Sequence, residues 1–199
     1  MKSHSLKLSK LIAVTLFLYH APHVAAEVHP ATQENNRERF REFCQYVTDQ
    51  SGWWESPLDA ADTSNPFTAF YYESKKLSTR SGIHISIHGR HRSGQLIAFW
   101  DVIAYWNERE KRADHLQLGA RGEIGTGQEK MVDSATTEII TSLLPPDGIG
   151  YTFRDYHTRI SATEMRSESS ILDSLGNWVS QGILNWRRAE PQIEMVPKK

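Results

Sequence analysis

Hydrophobic and polar positions alternate with a period of two along most of this chain. The alternation is clearest over Ile83 to Arg90, where isoleucines are interleaved with histidine and serine. The longest strand-forming run is Gln95 to Asn107, in which Asp101 is a lone acid. A strand that is apolar on both faces is covered on both faces. The pattern therefore predicts that this run is the central strand of a small barrel, with its neighbours wrapped around it.

Segments of the same kind recur after Gly52, separated by turn residues such as the Pro-Pro-Asp-Gly sequence that begins at Pro145. Eight to ten short strands at this spacing are typical of a barrel or sandwich. The prediction is a mainly β protein, a single antiparallel up-and-down β-barrel with one N-terminal α-helix. The predicted strands cover residues 52–56, 67–77, 83–90, 95–107, 114–121, 123–132, 136–144, 150–157, 160–171 and 177–188.

Helical periodicity is found over residues 32–50. Its apolar positions are spaced i, i+3, i+4 and i+7, and the opposite face is charged, which is the pattern of an amphipathic helix. We expect this helix to dock on the sheet or to plug one mouth of the barrel. Cys44 lies on the apolar stripe and is interpreted as a core residue rather than a reactive thiol. The stripe consists of Phe40, Phe43, Cys44 and Val47.

The N-terminal residues 1–26 have the features of a secretory signal peptide. Lysines precede a short apolar run, Leu11 to Tyr19, and Val24-Ala25-Ala26 offers a cleavage site before Glu27. The apolar run is far shorter than the roughly 20 residues that span a bilayer, although an uncleaved anchor is the alternative. We therefore expect an exported, periplasmic or secreted protein with no membrane span after cleavage. Residues 27–189 would form one helix-plus-barrel domain, and residues 190–199 a flexible tail.

Charge and cysteine content exclude several classes of function. The net charge is −1 and no long basic run is present, so nucleic acid is not an expected partner. The single cysteine cannot form an internal disulfide or a thiolate metal site. No Gly-x-Ser-x-Gly elbow or phosphate-binding Gly-x-x-x-x-Gly-Lys sequence is found. We expect no cofactor and no metal.

Several features together resemble a known group of proteins. Gly52-Trp53-Trp54 follows the predicted helix, and the aromatic strand over 97–107 precedes a glycine cluster over 119–127. The last strand ends in Trp186-Arg187. In these respects residues 52–188 resemble the calycin-type barrels, most closely small bacterial lipocalin-like proteins. The resemblance implies a barrel with a central cavity, and it brings no catalytic residues.

Histidines suggest a metal or haem site as an alternative. On a strand, His84 and His88 lie about 13 Å apart at roughly 3.3 Å per residue. Two zinc ligands must each approach one ion to about 2.1 Å, so this pair cannot share a metal. A site built from separate strands, with His115 or His157, remains open, as does haem held by His157.

Acidic residues suggest acid–base chemistry as a second alternative. Asp101 is either a buried acid with a raised pKa, suited to proton transfer, or the partner of an arginine in a salt bridge. Candidate arginines are Arg90, Arg154 and Arg159. Asp155 and His157 are two residues apart on one predicted strand, so they share a face and are able to hydrogen-bond.

Aromatic residues are concentrated in the predicted strands and indicate a cavity for a flat or lipidic ligand, unless they simply fill the barrel. The leading hypothesis is non-catalytic binding of a small apolar or aromatic molecule. The alternatives are a cavity enzyme of cyclase or isomerase type and a packed interaction module, with the outer face of the central strand as a homodimer seam. A cavity with a clustered Asp–His pair would favour the enzyme, and a dry aromatic cavity the binder. The predicted ligand-binding residues are Trp54, Tyr72, Trp100, Asp101, Trp106 and His157.

Overall fold

The computed structural model describes residues 30–78 and 81–192, with side chains described from residue 35 onward. The predicted signal peptide and most of the predicted tail lie outside the described residues. One helix and ten strands form a mainly β fold, as predicted. The elements are α1 (Pro30–Thr48), β1 (Trp53–Pro57), β2 (Phe67–Lys76), β3 (Gly82–His91), β4 (Leu96–Asn107), β5 (Arg112–Gly119), β6 (Ile124–Met131), β7 (Thr136–Leu144), β8 (Tyr151–Arg159), β9 (Glu164–Leu172) and β10 (Trp178–Arg188).

The strands form a closed up-and-down barrel. Each strand pairs antiparallel with its neighbour in sequence, and β1 pairs with β10 to close the ring. This closing seam pairs Trp54 with Arg188 and Glu55 with Arg187. Closure leaves no strand edge unpaired, which removes the usual route to edge-to-edge aggregation. The prediction of a single barrel is confirmed.

Alternation along the strands separates an inner from an outer face. On β3, Ile83 is fully buried, and Ile85 and Ile87 line the interior. His84 and His88 lie on the outer face, where the His88 ring stacks on that of Trp53 at 6.1 Å. This confirms the strand and shows which face its histidines occupy.

The helix α1 closes one end of the barrel. Phe40, Cys44 and Val47 are buried in the main core cluster. That cluster draws on the first residues of odd-numbered strands and the last residues of even-numbered ones, all of which meet at one end of the ring. The helix was expected either to dock on the sheet or to plug one mouth of the barrel, and the structure shows the second arrangement. Burial raises the pKa of the Cys44 thiol, as expected for a core residue.

Trp54 and Arg188 anchor the helix to the closing seam. The Trp54 indole is fully buried and donates a hydrogen bond from Nε1 to the Val47 carbonyl at 3.0 Å. The Arg188 guanidinium lies 3.9 Å from the centre of the indole and donates to the Asp49 carbonyl at 2.8 Å. These donors satisfy carbonyl groups at the C-terminal end of α1 that have no partner within the helix.

Within the described part of the chain, no helix combines the length and the hydrophobicity that a membrane crossing requires.

Candidate functional site: the barrel cavity

The barrel encloses a cavity of about 400 Å³. Phe43 and Val47 of α1 lie at its closed end. Tyr151, which is 39% exposed, and Gln181 line it near the opposite end, so the cavity opens to solvent there. A volume of this size is in the range of small-molecule sites. The interior is therefore hollow rather than packed solid.

One wall of the cavity is apolar and aromatic. It is formed by the inward-facing positions of β2, β3, β4 and β10. The Tyr72 and Trp186 rings meet edge to face, with centroids 5.0 Å apart, and Phe70 and Phe99 meet similarly at 6.0 Å. Such contacts fix the ring orientations and favour an apolar or aromatic ligand. The wall consists of Phe70, Tyr72, Ile85, Ile87, Phe99, Trp100, Val102, Leu184 and Trp186.

The opposite wall carries most of the polar side chains of the cavity, four of them ionisable, beside the apolar Ile139, Phe153 and Ile171. It is formed by β5, β6, β8 and β9, with β7 between them. Burial of such groups is costly unless they are paired or neutral. Their hydrogen bonds and charge states therefore decide what the cavity accepts. The polar side chains of this wall are His115, Gln117, Glu129, Asp155, His157, Ser167, Ser169 and Ser170.

His115 is held by one hydrogen bond across its neighbouring strand. Its Nε2 lies 2.8 Å from the hydroxyl of Thr141 on β7. The intervening β6 residue is Gly127, whose added Cβ would lie 2.7 Å from the imidazole Cε1. Burial lowers the pKa of His115 to about 4, so the ring is neutral at physiological pH. Among the described residues, its Nδ1 has no hydrogen-bond partner.

Glu129 is a buried carboxyl group with a free acceptor. Its Oε2 has no hydrogen-bond partner within the described residues. Burial raises its pKa to about 8, so the protonated form predominates at neutral pH. The residue faces the closed end of the cavity, where it interacts electrostatically with Cys44 of α1.

Asp155 and His157 lie side by side on the cavity face of β8. Burial raises the pKa of Asp155 and lowers that of His157, while their mutual attraction opposes both shifts. The prediction that they share a face is confirmed. Asp155 accepts a hydrogen bond from the Ser169 hydroxyl on β9 rather than from His157.

Of the predicted ligand-binding residues, Tyr72, Trp100 and His157 line the cavity. Trp54 and Trp106 do not. Both are buried in the core beneath α1, where the Trp106 ring lies 6.3 Å from that of Phe40. Their contribution is to hold the helix over the closed end.

Asp101 lies on the outer face of β4, so the first of its two alternatives, a buried acid with a raised pKa, is wrong. Its side chain is 57% exposed. Its Oδ1 accepts a hydrogen bond from Ser86 at 2.7 Å and lies 2.9 Å from His84 Nε2. The hydrogen bonds from Ser86 and His84 hold the pKa of Asp101 below its usual value. Asp101 therefore pairs with a histidine and a serine, and not with one of the candidate arginines.

Glu129 and Gln117 are cavity residues that the sequence pattern did not predict. The glycine cluster does form a hairpin, since β5 ends at Gly119 and β6 begins at Ile124. However, Gly125 and Gly127 lie within β6 on its inner face, opposite Gln117 and His115. The sequence signal for this polar part of the cavity is the alternation of glycines at 125 and 127, which make room for polar side chains on the adjacent strand.

Two large grooves can be described on the outer surface of residues 30–78 and 81–192. One, of about 1120 Å³, follows the charged face of α1 and includes Arg41 and Arg159. The other, of about 770 Å³, includes Ile103 and Tyr105 of β4. Both are open surfaces without the enclosed apolar wall of the barrel cavity.

No protein-family model matches this sequence, and comparison with curated proteins finds no significant match. The resemblance to calycin-type barrels therefore rests on the architecture alone. The closed antiparallel up-and-down barrel is compatible with a calycin-like fold. Within the described residues, no group of three or more histidine, cysteine, aspartate or glutamate side chains is arranged to hold a metal ion.

Proposed function

We propose that this protein binds a small, mainly apolar or aromatic molecule inside its barrel. The observation that carries the proposal is the cavity of about 400 Å³ with an aromatic wall on one side. Apolar surface transferred from water to such a wall contributes roughly 25 cal/mol per Å². The polar wall opposite would orient the ligand rather than supply most of its affinity.

Binding of a neutral fluorescent dye such as Nile red tests this proposal. We expect the purified protein to enhance the fluorescence of the dye, and Trp100→Ala to weaken dye binding. Ile103→Ala is the matched control, since Ile103 lies on the outer face of the same strand. A dye that does not bind, or equal binding by the two variants, would contradict the proposal. Native mass spectrometry of protein from its own host would identify a co-purifying ligand.

A cavity enzyme is the second candidate function, and the paired Asp155 and His157 favour it. An acid with a raised pKa beside a histidine with a lowered pKa is suited to general acid–base chemistry. The distinguishing measurement is whether a ligand recovered from the protein is chemically changed after incubation. If it is, Asp155→Asn should abolish the change while dye binding persists.

We further propose that the protein is exported after removal of residues 1–26. N-terminal sequencing of protein from the periplasm or medium should then begin at Glu27. A homodimer formed through the outer face of β4 is also proposed, on the grounds that Ile103 and Tyr105 line an outer groove. Light scattering of Ile103→Glu against the unmodified protein would test that seam.

A further inference from the structure

The cavity contains carboxyl groups without a cation to balance them. Glu129 and Asp155 both face the interior. Among the described residues that line the cavity, none is a lysine or an arginine. Burial keeps His115 neutral and disfavours the charged form of His157. A positively charged group would therefore find two potential counter-ions and no competing fixed cation.

The two carboxyl groups lie in one row across the sheet. Glu129 on β6 pairs with Ile139 on β7, and Ile139 pairs with Asp155 on β8. Two strand spacings place their backbones about 10 Å apart. The Asp155 carboxyl is engaged by the Ser169 hydroxyl, whereas Glu129 Oε2 is buried and has no partner within the described residues. Glu129 is thus the unsatisfied acceptor of the row.

We propose that the ligand is an organic amine whose ammonium group binds the Glu129 carboxylate, with its apolar or aromatic body against the aromatic wall of the cavity. This deepens the proposed binding function and rests on it. An ammonium group donates three hydrogen bonds and would satisfy the free Oε2. The Tyr72 and Trp186 rings line the same cavity and provide faces that attract a cation.

Amine binding would change the protonation of Glu129. The group is mainly protonated at neutral pH because of burial, and an adjacent ammonium stabilises its ionised form. Binding should therefore release a proton. The titratable groups that face Glu129 are Cys44 from α1, His115 from β5, and Asp155 and His157 from β8. Calorimetry in two buffers of different ionisation enthalpy counts the protons released.

The test compares three ligands of similar shape, 2-phenylethylamine, 2-phenylethanol and 3-phenylpropionate, by displacement of Nile red at pH 7. The variants are Glu129→Gln and, as the matched control, Glu138→Gln. Glu138 lies on β7 next to Ile139, and it accepts a hydrogen bond from the Tyr156 hydroxyl at 2.6 Å. We expect the amine to bind most tightly, with proton release. Glu129→Gln should weaken amine binding at least tenfold and leave alcohol binding unchanged, whereas Glu138→Gln should alter neither.

Each other outcome contradicts the proposal in a recognisable way. If Nile red binds and the alcohol or the carboxylate displaces it as well as the amine does, the cavity binds ligands without preference for a cation. If Glu129→Gln binds the amine as tightly as the unmodified protein, the ammonium group is not held by Glu129. If neither the dye nor any of the three ligands binds, the proposed binding function fails and the amine proposal fails with it.

Discussion

The imidazole of His115 crosses over Gly127 to reach the hydroxyl of Thr141, 2.8 Å from its Nε2. Three neighbouring strands are thereby linked on the inside of the barrel by a side chain as well as by the backbone. The link depends on the missing side chain at Gly127, because a Cβ there would occupy the space of the ring. The glycine therefore shapes the polar wall of the cavity without contributing a functional group.

Replacement of Gly127 by alanine should destabilise the protein. The new Cβ would lie 1.9 Å from the Ile140 carbonyl oxygen and 2.7 Å from His115 Cε1, so backbone and ring must both move. Overpacking of this kind costs about 1–3 kcal/mol in the free energy of unfolding. Urea denaturation measures the loss. Thr126→Ala, on the exposed face of the same strand, is the control and should stay within about 0.5 kcal/mol.

Glu129 should make the protein less stable as pH rises. Its pKa is raised to about 8 in the fold from a usual 4.5, so between these values only the unfolded chain ionises and unfolding releases a proton. The free energy of unfolding of the unmodified protein should therefore fall relative to that of Glu129→Gln, with a slope approaching about 1.4 kcal/mol per pH unit. Because the pKa of buried His115 is lowered, this residue makes the free energy of unfolding rise with pH below pH 6.5, and it does so equally in both proteins. Parallel pH profiles for Glu129→Gln and the unmodified protein in urea would refute this.

Trp54 should be among the most costly residues to truncate. Its indole is fully buried between Tyr72, Tyr46 and Arg188 and is bonded to the Val47 carbonyl. Trp54→Ala should lower the free energy of unfolding by about 3–5 kcal/mol. Trp54→Phe keeps most of the ring and should lose less, about 1 kcal/mol for the missing donor plus the cost of a smaller side chain. Comparable losses for the two variants in urea denaturation would indicate that the hydrogen bond, rather than the packing, dominates.

Asp101→Asn should leave both the fold and the cavity nearly unchanged. The carboxylate is exposed and bonds only outer-face groups, Ser86 and His84 among them. Exposed pairs of this kind contribute less than about 1 kcal/mol. Because its pKa is lowered in the fold, this small contribution is present above the unfolded pKa and disappears as pH falls through the folded value. Dye displacement should be indistinguishable from that of the unmodified protein, and a large loss of binding would count against this placement.

The fold was accessible from sequence because most strands carry their own period-two signal. The alternation at Ile83, Ile85 and Ile87 predicts both the strand and its inner face, and the structure confirms them. In β4 both faces are apolar, so the sequence does not distinguish inside from outside. Trp100 and Asp101 are adjacent and must point to opposite sides, yet both were predicted to bind ligand. The structure places Trp100 inside and Asp101 outside.

The polar wall was harder to predict because its residues come from separate strands. Glu129 looks like an ordinary surface acid in a polar segment, and only pairing with β5 and β7 shows that it faces inward. The volume left open inside the ring also has no local signature, since it depends on how side chains from all strands and the helix meet. Asp155 and His157 were found because they share one strand, where spacing alone defines the face.

The β1–β10 seam joins the first and last strands of the barrel through two backbone residue pairs, Trp54 with Arg188 and Glu55 with Arg187. Bringing these segments together closes a loop of more than a hundred residues, which costs about 4 kcal/mol in chain entropy. The seam should therefore form late in folding and be the first part of the ring to separate in brief openings. Hydrogen exchange at the Ala189 amide, which bonds to the Trp53 carbonyl at 2.9 Å, would report these openings. If β1 and β10 separate transiently, a bulky ligand gains a second entrance to the cavity, besides the open end opposite α1.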